Sequence, residues 1–319
     1  MKKSWGVLTV AVTFLLPAIF FCARYNENSA PKYYERSEKI MGTTVTLKAS
    51  GISAKTAVDK SFAALFKFVE NVNDDVNSLN ESAGSDTFVK ISPEVFEMLK
   101  LARLYSELTD GAFDVTVGAA VDLWRTARKN KIPPSPAEIE TVKLLVGFEH
   151  LHLNEKETGA RLDLVGAKIN LGGVGKGYGV DIIRKIFEDE GIRDGIIDFG
   201  TSSIFAFGKK RIGLKNPRGK HEISEVVEIE NAALSTSGDY EQFFVANGRR
   251  FHHIIDPKTC LPTDNGVASV TIALKKDVEN CGAISDILST SLLILGKDSS
   301  QKILETLPPK SVVIFWEEK

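Results

Sequence analysis

A glycine-rich segment, Leu171 to Asp181 (LGGVGKGYGVD), constrains the fold of this chain more than any other part of its sequence. Five glycines fall within the eight residues from 172 to 179. Positions without a Cβ allow the backbone to approach a ligand or a neighbouring segment closely. The segment leads into a predicted helix from about Lys176 to Glu190, and a helix N-terminus favours anions. The pattern fits an anion-binding turn to which Lys176 adds positive charge, or a tight strand-to-helix turn with a solvated lysine.

The spacing of these glycines excludes two nucleotide-binding motifs. A dinucleotide fingerprint that begins at Gly173 or Gly175 would need glycine at the positions of Tyr178 or Val180. A P-loop would need Ser or Thr directly after Lys176, where another glycine stands. The segment therefore carries no motif that identifies a cofactor by itself.

The first 22 residues have the pattern of an export signal. Lys2 and Lys3 precede 18 residues without a charge, 5 to 22, and polar sequence follows. A basic start before an apolar stretch is typical of secretory signals, and Cys22 resembles the modified cysteine of a bacterial lipoprotein. The match is imperfect, because the bulky Phe21 stands where a small residue is usual. An uncleaved membrane anchor and a buried core helix are the alternatives, since 18 apolar residues just reach spanning length.

This pattern sets the expected domain organisation. We predict a signal over 1–22, a polar tether over 23–37 and one globular domain over 38–319. The domain is expected on the periplasmic side of a bacterial membrane, held by a lipid or by the uncleaved segment. With 40 basic and 42 acidic residues the net charge is −2, so no general attraction to nucleic acid is expected.

Apolar periodicity and turn residues predict a mixture of helices and strands. Helices are predicted over 56–72, 93–108, 137–146, 176–190 and 283–295. Strands are predicted over 39–49, around 151 and 162, and over 195–207, 225–229, 251–255, 268–273 and 311–316. Because these elements lack a strict βαβ alternation, the expected class is α+β, with mixed sheets, packed helices and one domain of two lobes.

The segment SDILSTSL, 285 to 292, could hold a metal ion. Asp286 and Thr290 lie four residues apart, hence on one face of the predicted helix, with Ser289 one residue away. Carboxylate and hydroxyl oxygens are hard ligands that suit Mg²⁺. The alternative is that Asp286 simply caps its helix.

The segment FHHIIDPKT, 251 to 259, could supply a general base. His252 and His253 point to opposite faces of a strand, so at most one of them addresses a given site. A histidine at a strand end near a carboxylate is a candidate base, although a lone histidine is more often structural.

Two further segments are ambiguous. STSGDY, 235 to 240, is either a hydroxyl-rich turn with donors for phosphate oxygens or an ordinary loop. GAFDVTVGAAVDLW, 111 to 124, alternates apolar and polar residues in its first half, which is also typical of a core strand.

The order of these segments carries more information than any one of them. MGTTV, GAFDVTVGAAVDLW, INLGGVGKGYGVD, STSGDY, HHIIDPKT and SDILSTSL, in this sequence, resemble the ApbE family over about residues 38 to 300. The resemblance implies an ApbE-like, T-fold-related catalytic domain. Members are bacterial FAD:protein FMN transferases, and some hydrolyse FAD to FMN and AMP.

The resemblance also implies a reaction and its partners. FAD is the expected substrate and Mg²⁺ the expected cofactor. FMN would pass to a Thr or Ser side chain of an exported flavoprotein, such as a subunit of a membrane redox complex, and AMP would leave. A FAD pyrophosphatase and a non-catalytic FAD-binding lipoprotein are the alternatives.

The resemblance further implies which residues form the site. His253 matches the histidine implicated in catalysis, and Asp181 matches a structural helix aspartate. The expected metal ligands are the carbonyl of Gly173, then Asp286, Thr290 and, as in some members, Ser289. The expected contacts to the flavin nucleotide are Met41, Ala112, Phe113, Asp114, Asn170, Lys176 and Ile255.

Three residues depart from the family pattern. Asn170 replaces an aspartate, Thr201 replaces the second glycine of a pair, and Cys260 stands where glycine is usual. A Cβ restricts the backbone at positions that glycine normally occupies. Cys260 and Cys281 could also form a disulfide outside the cytoplasm, but their separation is not fixed by the sequence.

Overall fold

The computed structural model describes residues 32–200, 202–219, 223–305 and 312–318. The predicted signal over 1–22 and most of the predicted tether lie outside these residues, as does the Thr201 departure. Residues 33 to 37, predicted as the end of the tether, instead form the first five of the eight residues of the first strand, where Tyr33 donates a hydrogen bond to Asp194 (2.5 Å). No helix within the described ranges is long and apolar enough to cross a membrane.

The described chain alternates irregularly between helices and strands. The helices are α1 (Ala54–Glu81), α2 (Pro93–Leu108), α3 (Gly118–Asn130), α4 (Pro136–Lys143), α5 (Gly175–Asp189) and α6 (Cys281–Leu304). The first strands are β1 (Tyr33–Ile40), β2 (Thr43–Ser50), β3 (Val89–Lys90), β4 (Leu151–Asn154), β5 (Gly159–Leu162), β6 (Gly195–Phe199) and β7 (Ser203–Lys215). The later strands are β8 (Ile223–Gly238), β9 (Phe243–Ala246), β10 (Arg249–His252), β11 (Ile255–Asp256), β12 (Leu261–Pro262), β13 (Val267–Lys275) and β14 (Val312–Glu318).

A seven-stranded sheet organises the main core. Its strand order is β1-β2-β6-β7-β8-β13-β14, and every neighbouring pair is antiparallel. Helices α1, α5 and α6 pack against it and bury one large apolar cluster. Among the fully buried side chains of this cluster are Phe62, Leu65, Phe187, Phe199 and Ile287. The predicted α+β class is therefore confirmed.

A smaller apolar cluster lies apart from the main core. It contains Trp124 of α3, Phe244 of β9 and Phe251 of β10, with the Trp124 and Phe251 rings stacked 5.4 Å apart. The Trp124 indole donates a hydrogen bond to the carbonyl of Cys260 (2.8 Å), which fixes the turn between β11 and β12. Cys260 has a φ of 55°, the left-handed conformation that explains why glycine is usual there. Cys260 and Cys281 are both free and buried, so the suggested disulfide between them is absent.

Three predicted elements differ from the structure at turns. The predicted strand 39–49 is the hairpin β1–β2, turning at Met41 (φ 53°) and Gly42 (φ 72°). The predicted strand 195–207 is the pair β6–β7, which turns at Gly200 (φ 64°). A Cβ on Gly200 would lie 1.7 Å from the hydroxyl oxygen of Thr43, so glycine is required there. The predicted strand 251–255 is broken at His253, between β10 and β11.

The two ambiguous segments also resolve into other elements. Residues 111–117 form a loop rather than a core strand, and α3 follows directly. Ser235 to Gly238 form the end of β8 rather than a turn, and the turn begins at Asp239. Hydrogen bonds to β13 extend β8 as far as Gly238, which is why these hydroxyls lie on a rigid strand.

Two glycines bring α5 and α6 into backbone contact. A Cβ on Gly177 would lie 2.2 Å from the carbonyl oxygen of Gly282, and a Cβ on Gly282 would lie 2.4 Å from that of Gly177. No side chain fits at either position. Close packing of α5 against α6 therefore explains why the glycine-rich segment has glycine at position 177.

Two buried carboxylates reinforce this crossing, and each caps the other helix. Asp181 of α5 accepts hydrogen bonds from the backbone nitrogens of Gly282 (3.0 Å) and Ala283 (2.8 Å) at the start of α6. Asp286 of α6 accepts one from the backbone nitrogen of Gly177 (2.9 Å) at the start of α5. Neither helix has a side-chain cap from its own N-cap residue, so these carboxylates take over that role. Asp286 is thus a cap, although not of its own helix.

Gly177→Ala should destabilise the fold by about 3 kcal/mol, because its Cβ would push two backbones apart. Gly175→Ala is the matched control in the same helix: its Cβ would meet only the flexible end of Met41, at 3.3 Å. The control should change the free energy of unfolding by less than about 1 kcal/mol. Urea denaturation measures both values, and equal effects would show that the helix crossing is not tight.

Candidate active site

A cavity of about 530 Å³ lies where the glycine-rich segment, the 111–117 loop, the end of β8, the 251–257 segment and α6 meet. Eleven of the twelve predicted site residues line it. They are Met41, Ala112, Phe113, Asp114, Asn170, Gly173, Lys176, His253, Ile255, Asp286 and Thr290. The structure therefore brings together residues that are up to 249 positions apart in the sequence (41 to 290).

Asp286 is the most buried carboxylate on the cavity wall. It is 4 % exposed, and the hydrogen bond from Gly177 occupies its Oδ2. Its Oδ1 accepts no hydrogen bond from any residue that the structure describes. Burial raises the pKa of Asp286, while the charge of Lys176 and the Gly177 N–H act in the opposite direction. A buried carboxylate with one uncommitted oxygen favours a cation at its side.

Thr290 and Gly173 lie beside each other on the same wall. A Cβ on Gly173 would be 3.5 Å from the Thr290 hydroxyl oxygen and 2.9 Å from the Phe113 ring. The remaining predicted ligand, Ser289, does not line the cavity. It is fully buried, and its hydroxyl contacts Ser237 of β8 (2.9 Å).

Lys176 is held in the first turn of α5. Its ammonium group donates a hydrogen bond to the Ser202 hydroxyl (2.5 Å), which in turn donates to the carbonyl of Phe199 (3.0 Å). Its charge acts on both Asp286 and His253. The Lys176 ammonium is therefore near enough to the carboxylate of Asp286 and the imidazole of His253 for its charge to act on both.

The two adjacent histidines have different environments. His252 is buried, and its Nε2 donates to the carbonyl of Thr263 (2.7 Å) while its Nδ1 lies 3.3 Å from the backbone nitrogen of Ile254. His253 turns its ring toward the cavity. Both histidines line the cavity, because the strand breaks at His253 and does not turn the two rings to opposite faces of one strand. They differ in that His252 is buried and hydrogen-bonded, whereas His253 is exposed.

The environment of His253 keeps its ring neutral. His253 is exposed on the cavity wall. The protein around its ring still removes enough water to lower the pKa of His253 to about 4, and the charges of His252, Lys176 and Arg128 act in the same direction. A backbone hydrogen bond with Gln242 opposes them. At neutral pH the imidazole therefore has a free lone pair, which a proton acceptor requires.

Asp114 and Asn170 also line the cavity. Asp114 Oδ1 accepts hydrogen bonds from the backbone nitrogen (2.8 Å) and the hydroxyl (2.7 Å) of Thr116, and burial raises the pKa of Asp114. Asn170 Oδ1 accepts one from the Gly172 nitrogen (2.9 Å), and its own backbone donates to Val115 (2.7 Å). An aspartate could make the same turn, so the Asn170 departure removes a charge without changing the loop.

Several lining residues could not be identified from the sequence alone. Arg125 and Arg128 of α3 lie on the cavity wall, and Arg128 donates to the side-chain oxygen of Gln242 (2.5 Å). Ser202 and Ser237 support Lys176 and Thr290. Their partners are distant in the sequence. Of these four residues only Ser237 belongs to a segment that the sequence analysis names, STSGDY, and that segment does not predict its contact with Thr290.

The predicted metal set contains a single carboxylate. Within the described ranges there is no group of three or more His, Cys, Asp or Glu side chains that could hold a metal ion. Asp286, Thr290 and the Gly173 carbonyl are all oxygen donors, and this composition suits Mg²⁺ rather than a transition metal.

Solved structures share this fold. The ApbE protein of Thermotoga maritima superimposes with a TM-score of 0.78 at 28% identity, covering 89% of this chain and 94% of that one. The flavin transferase ApbE from Vibrio cholerae gives a TM-score of 0.73 at 24% identity, a likeness in fold alone that covers 90% and 97% of the two chains. The architecture is therefore that of the flavin transferases.

The sequence comparisons are more specific. The ApbE family model matches residues 41–315, and the chain belongs to the ApbE family, as its six ordered motifs predict. A relative from Haemophilus influenzae is 28% identical over 96% of this chain and 91% of its own length. One from Treponema pallidum is 28% identical over 90% and 85%. Both relatives are named FAD:protein FMN transferase.

The low pKa of His253 can be tested in solution. The ring should stay neutral as the pH falls from 6.5 and should protonate near pH 4. Over that interval the unfolded chain binds a proton that the folded chain does not, so the folded state loses stability as the pH falls. Nitrogen-15 NMR of the histidine rings measures the titration, with His253→Ala assigning the signal. A midpoint near 6.5 would contradict the proposed environment.

Proposed function

We propose that this protein transfers FMN from FAD to a Thr or Ser hydroxyl of an exported flavoprotein and releases AMP. One observation carries the proposal: a buried carboxylate with an uncommitted oxygen, a lysine and a neutral imidazole share one cavity wall, at Asp286, Lys176 and His253. The carboxylate can bind a cation, the lysine can bind a phosphate and the imidazole can accept a proton. The names of the relatives agree with this combination.

The cavity suits a dinucleotide with a charged centre. Its volume of about 530 Å³ is typical of small-molecule sites. Met41 and Phe113 offer apolar surface for a flat ring system, and Lys176 at the start of α5 offers positive charge. In this arrangement the pyrophosphate of FAD lies beside Lys176 and the N-terminus of α5, which favours anions.

His253 is the proposed general base. Its neutral ring accepts the proton of the attacking hydroxyl as that oxygen bonds to the FMN-side phosphorus. The bond from this phosphorus to the bridging oxygen breaks, and AMP leaves with the electron pair. Lys176 stabilises the charge that develops on the phosphate oxygens.

The residues that would hold Mg²⁺ are the Gly173 carbonyl, Asp286 and Thr290. They fit because Asp286 Oδ1 is uncommitted and all three donors are hard oxygens. When bound, Mg²⁺ neutralises charge on the pyrophosphate and on the leaving group. Ser289 is not included, since its hydroxyl lies off the cavity wall.

The reaction can be tested by mass spectrometry. The protein is incubated with FAD, Mg²⁺ and candidate exported flavoproteins, and AMP together with a covalent FMN adduct is expected. Asp286→Asn should lower the yield at least about a hundredfold, because the amide keeps a hydrogen-bond acceptor for Gly177 but loses the charge. EDTA should silence the wild-type protein, and Mg²⁺ should restore it.

Other outcomes separate the alternatives. AMP with free FMN and no adduct would replace the transferase by a pyrophosphatase, and no product would favour a binding protein. His253→Ala should lower turnover about a hundredfold while FAD binding persists. His252→Ala should mainly lower thermal stability, because its ring bonds to the carbonyl of Thr263.

We also propose that the protein acts on the periplasmic side of a bacterial membrane, anchored through Cys22. The support is the basic and apolar pattern over 1–22. Palmitate labelling of cells should mark the wild-type protein but not Cys22→Ser, and the variant should leave the membrane fraction. A variant that is unlabelled but remains in that fraction would indicate the uncleaved anchor instead.

A further inference from the structure

Strand β8 and helix α6 are joined by two pairs of serine hydroxyls. Ser235 Oγ lies 2.8 Å from Ser285 Oγ, and Ser237 Oγ lies 2.9 Å from Ser289 Oγ. In each pair the helix serine donates to a carbonyl three residues earlier: Ser285 to Gly282 and Ser289 to Asp286. The second pair differs in one respect, since Ser237 also contacts the Thr290 hydroxyl (3.0 Å).

The direction of these hydrogen bonds follows from counting protons. The Asp286 carbonyl can only accept, so Ser289 donates its single hydroxyl proton there (3.0 Å). Ser289 must then accept from Ser237, whose own proton is thereby used. Ser237 can only accept from Thr290, so the Thr290 proton points at β8.

This direction fixes what Thr290 presents to the cavity. With its proton committed to Ser237, the Thr290 oxygen keeps its two lone pairs as acceptors. A hydroxyl whose proton pointed into the cavity would repel a cation. We call this chain of hydrogen bonds from Thr290 through Ser237 to Ser289 the relay. The relay therefore preorganises the Thr290 oxygen as a cation ligand.

We propose that Ser237 and Ser289 are positioning residues that orient the Thr290 hydroxyl for a divalent cation held with Asp286. This inference rests on the proposed function, because it deepens the metal site assigned there. Both serines are buried and uncharged. Ser237 contacts Thr290 and also lines the cavity, whereas Ser289 lies off the cavity and acts through Ser237 and the Asp286 carbonyl. Ser289 thus contributes to the site without being a ligand.

The experiment measures metal binding directly, with Mn²⁺ as the probe and without FAD. Electron paramagnetic resonance of free Mn²⁺ gives the dissociation constant for the full chain and its variants. Ser237→Ala should raise this constant about tenfold, because the Thr290 proton loses its acceptor. Ser235→Ala is the matched control: it removes the equivalent pair with Ser285 but does not touch Thr290. It should leave the constant within about twofold of the wild type.

Three results would overturn the inference, and they are distinguishable. Equal weakening by Ser235→Ala and Ser237→Ala would indicate general loosening between β8 and α6. Unchanged binding in Ser237→Ala, with loss in Thr290→Ala and Asp286→Asn, would leave the metal site standing without the relay. Unchanged binding in Thr290→Ala and Asp286→Asn, or no binding by the wild type, would remove the proposed metal site as well.

Discussion

The exchange of caps between α5 and α6 is the contact on which the site depends. Each helix begins without a side-chain cap of its own, and each receives one from a buried carboxylate of the other. The exchange is possible only because Gly177 and Gly282 let the two backbones touch. It brings two helix N-termini, which favour anions, together in the core beside the cavity. Lys176, Asp286 and Thr290 share one wall as a consequence.

Asp286 therefore serves both the fold and the proposed chemistry. Its Oδ2 stabilises the start of α5, and burial raises the pKa of the carboxyl. Removing the carboxylate would orphan a buried N–H, whereas keeping it ionised requires positive charge nearby. Lys176 supplies part of that charge. The uncommitted Oδ1 can accept a further positive charge, such as a bound cation. The same residue therefore fits both a structural and a cation-binding role.

The sequence predicted those features that are local or that lie in motifs. Helix α2 is predicted from Pro93 to Leu108 because proline starts it and apolar residues recur along it, and the structure agrees. The turn at Met41 was missed because a non-glycine residue adopts the left-handed conformation there. The STSGDY segment contains Ser237, but its role could not be predicted, since it acts through a helix 52 residues away at Ser289. Ser289 itself was misplaced: one residue turns a helix by about 100°, enough to face β8 instead of the cavity.

The composition of the wall also bears on how substrate and metal would bind. On the proposed function, the chain offers the cation one carboxylate, one hydroxyl and one carbonyl, and Asn170 adds no further charge. Mg²⁺ prefers six oxygens, so the pyrophosphate of FAD and water must complete its shell. Metal and FAD would then each raise the affinity for the other by the same factor. In the proposed mechanism the neutral His253 would accept a proton from any hydroxyl that reaches the phosphorus. On this proposal the choice between water and a protein side chain would rest on the cavity residues other than His253, among which Arg125 and Arg128 add positive charge.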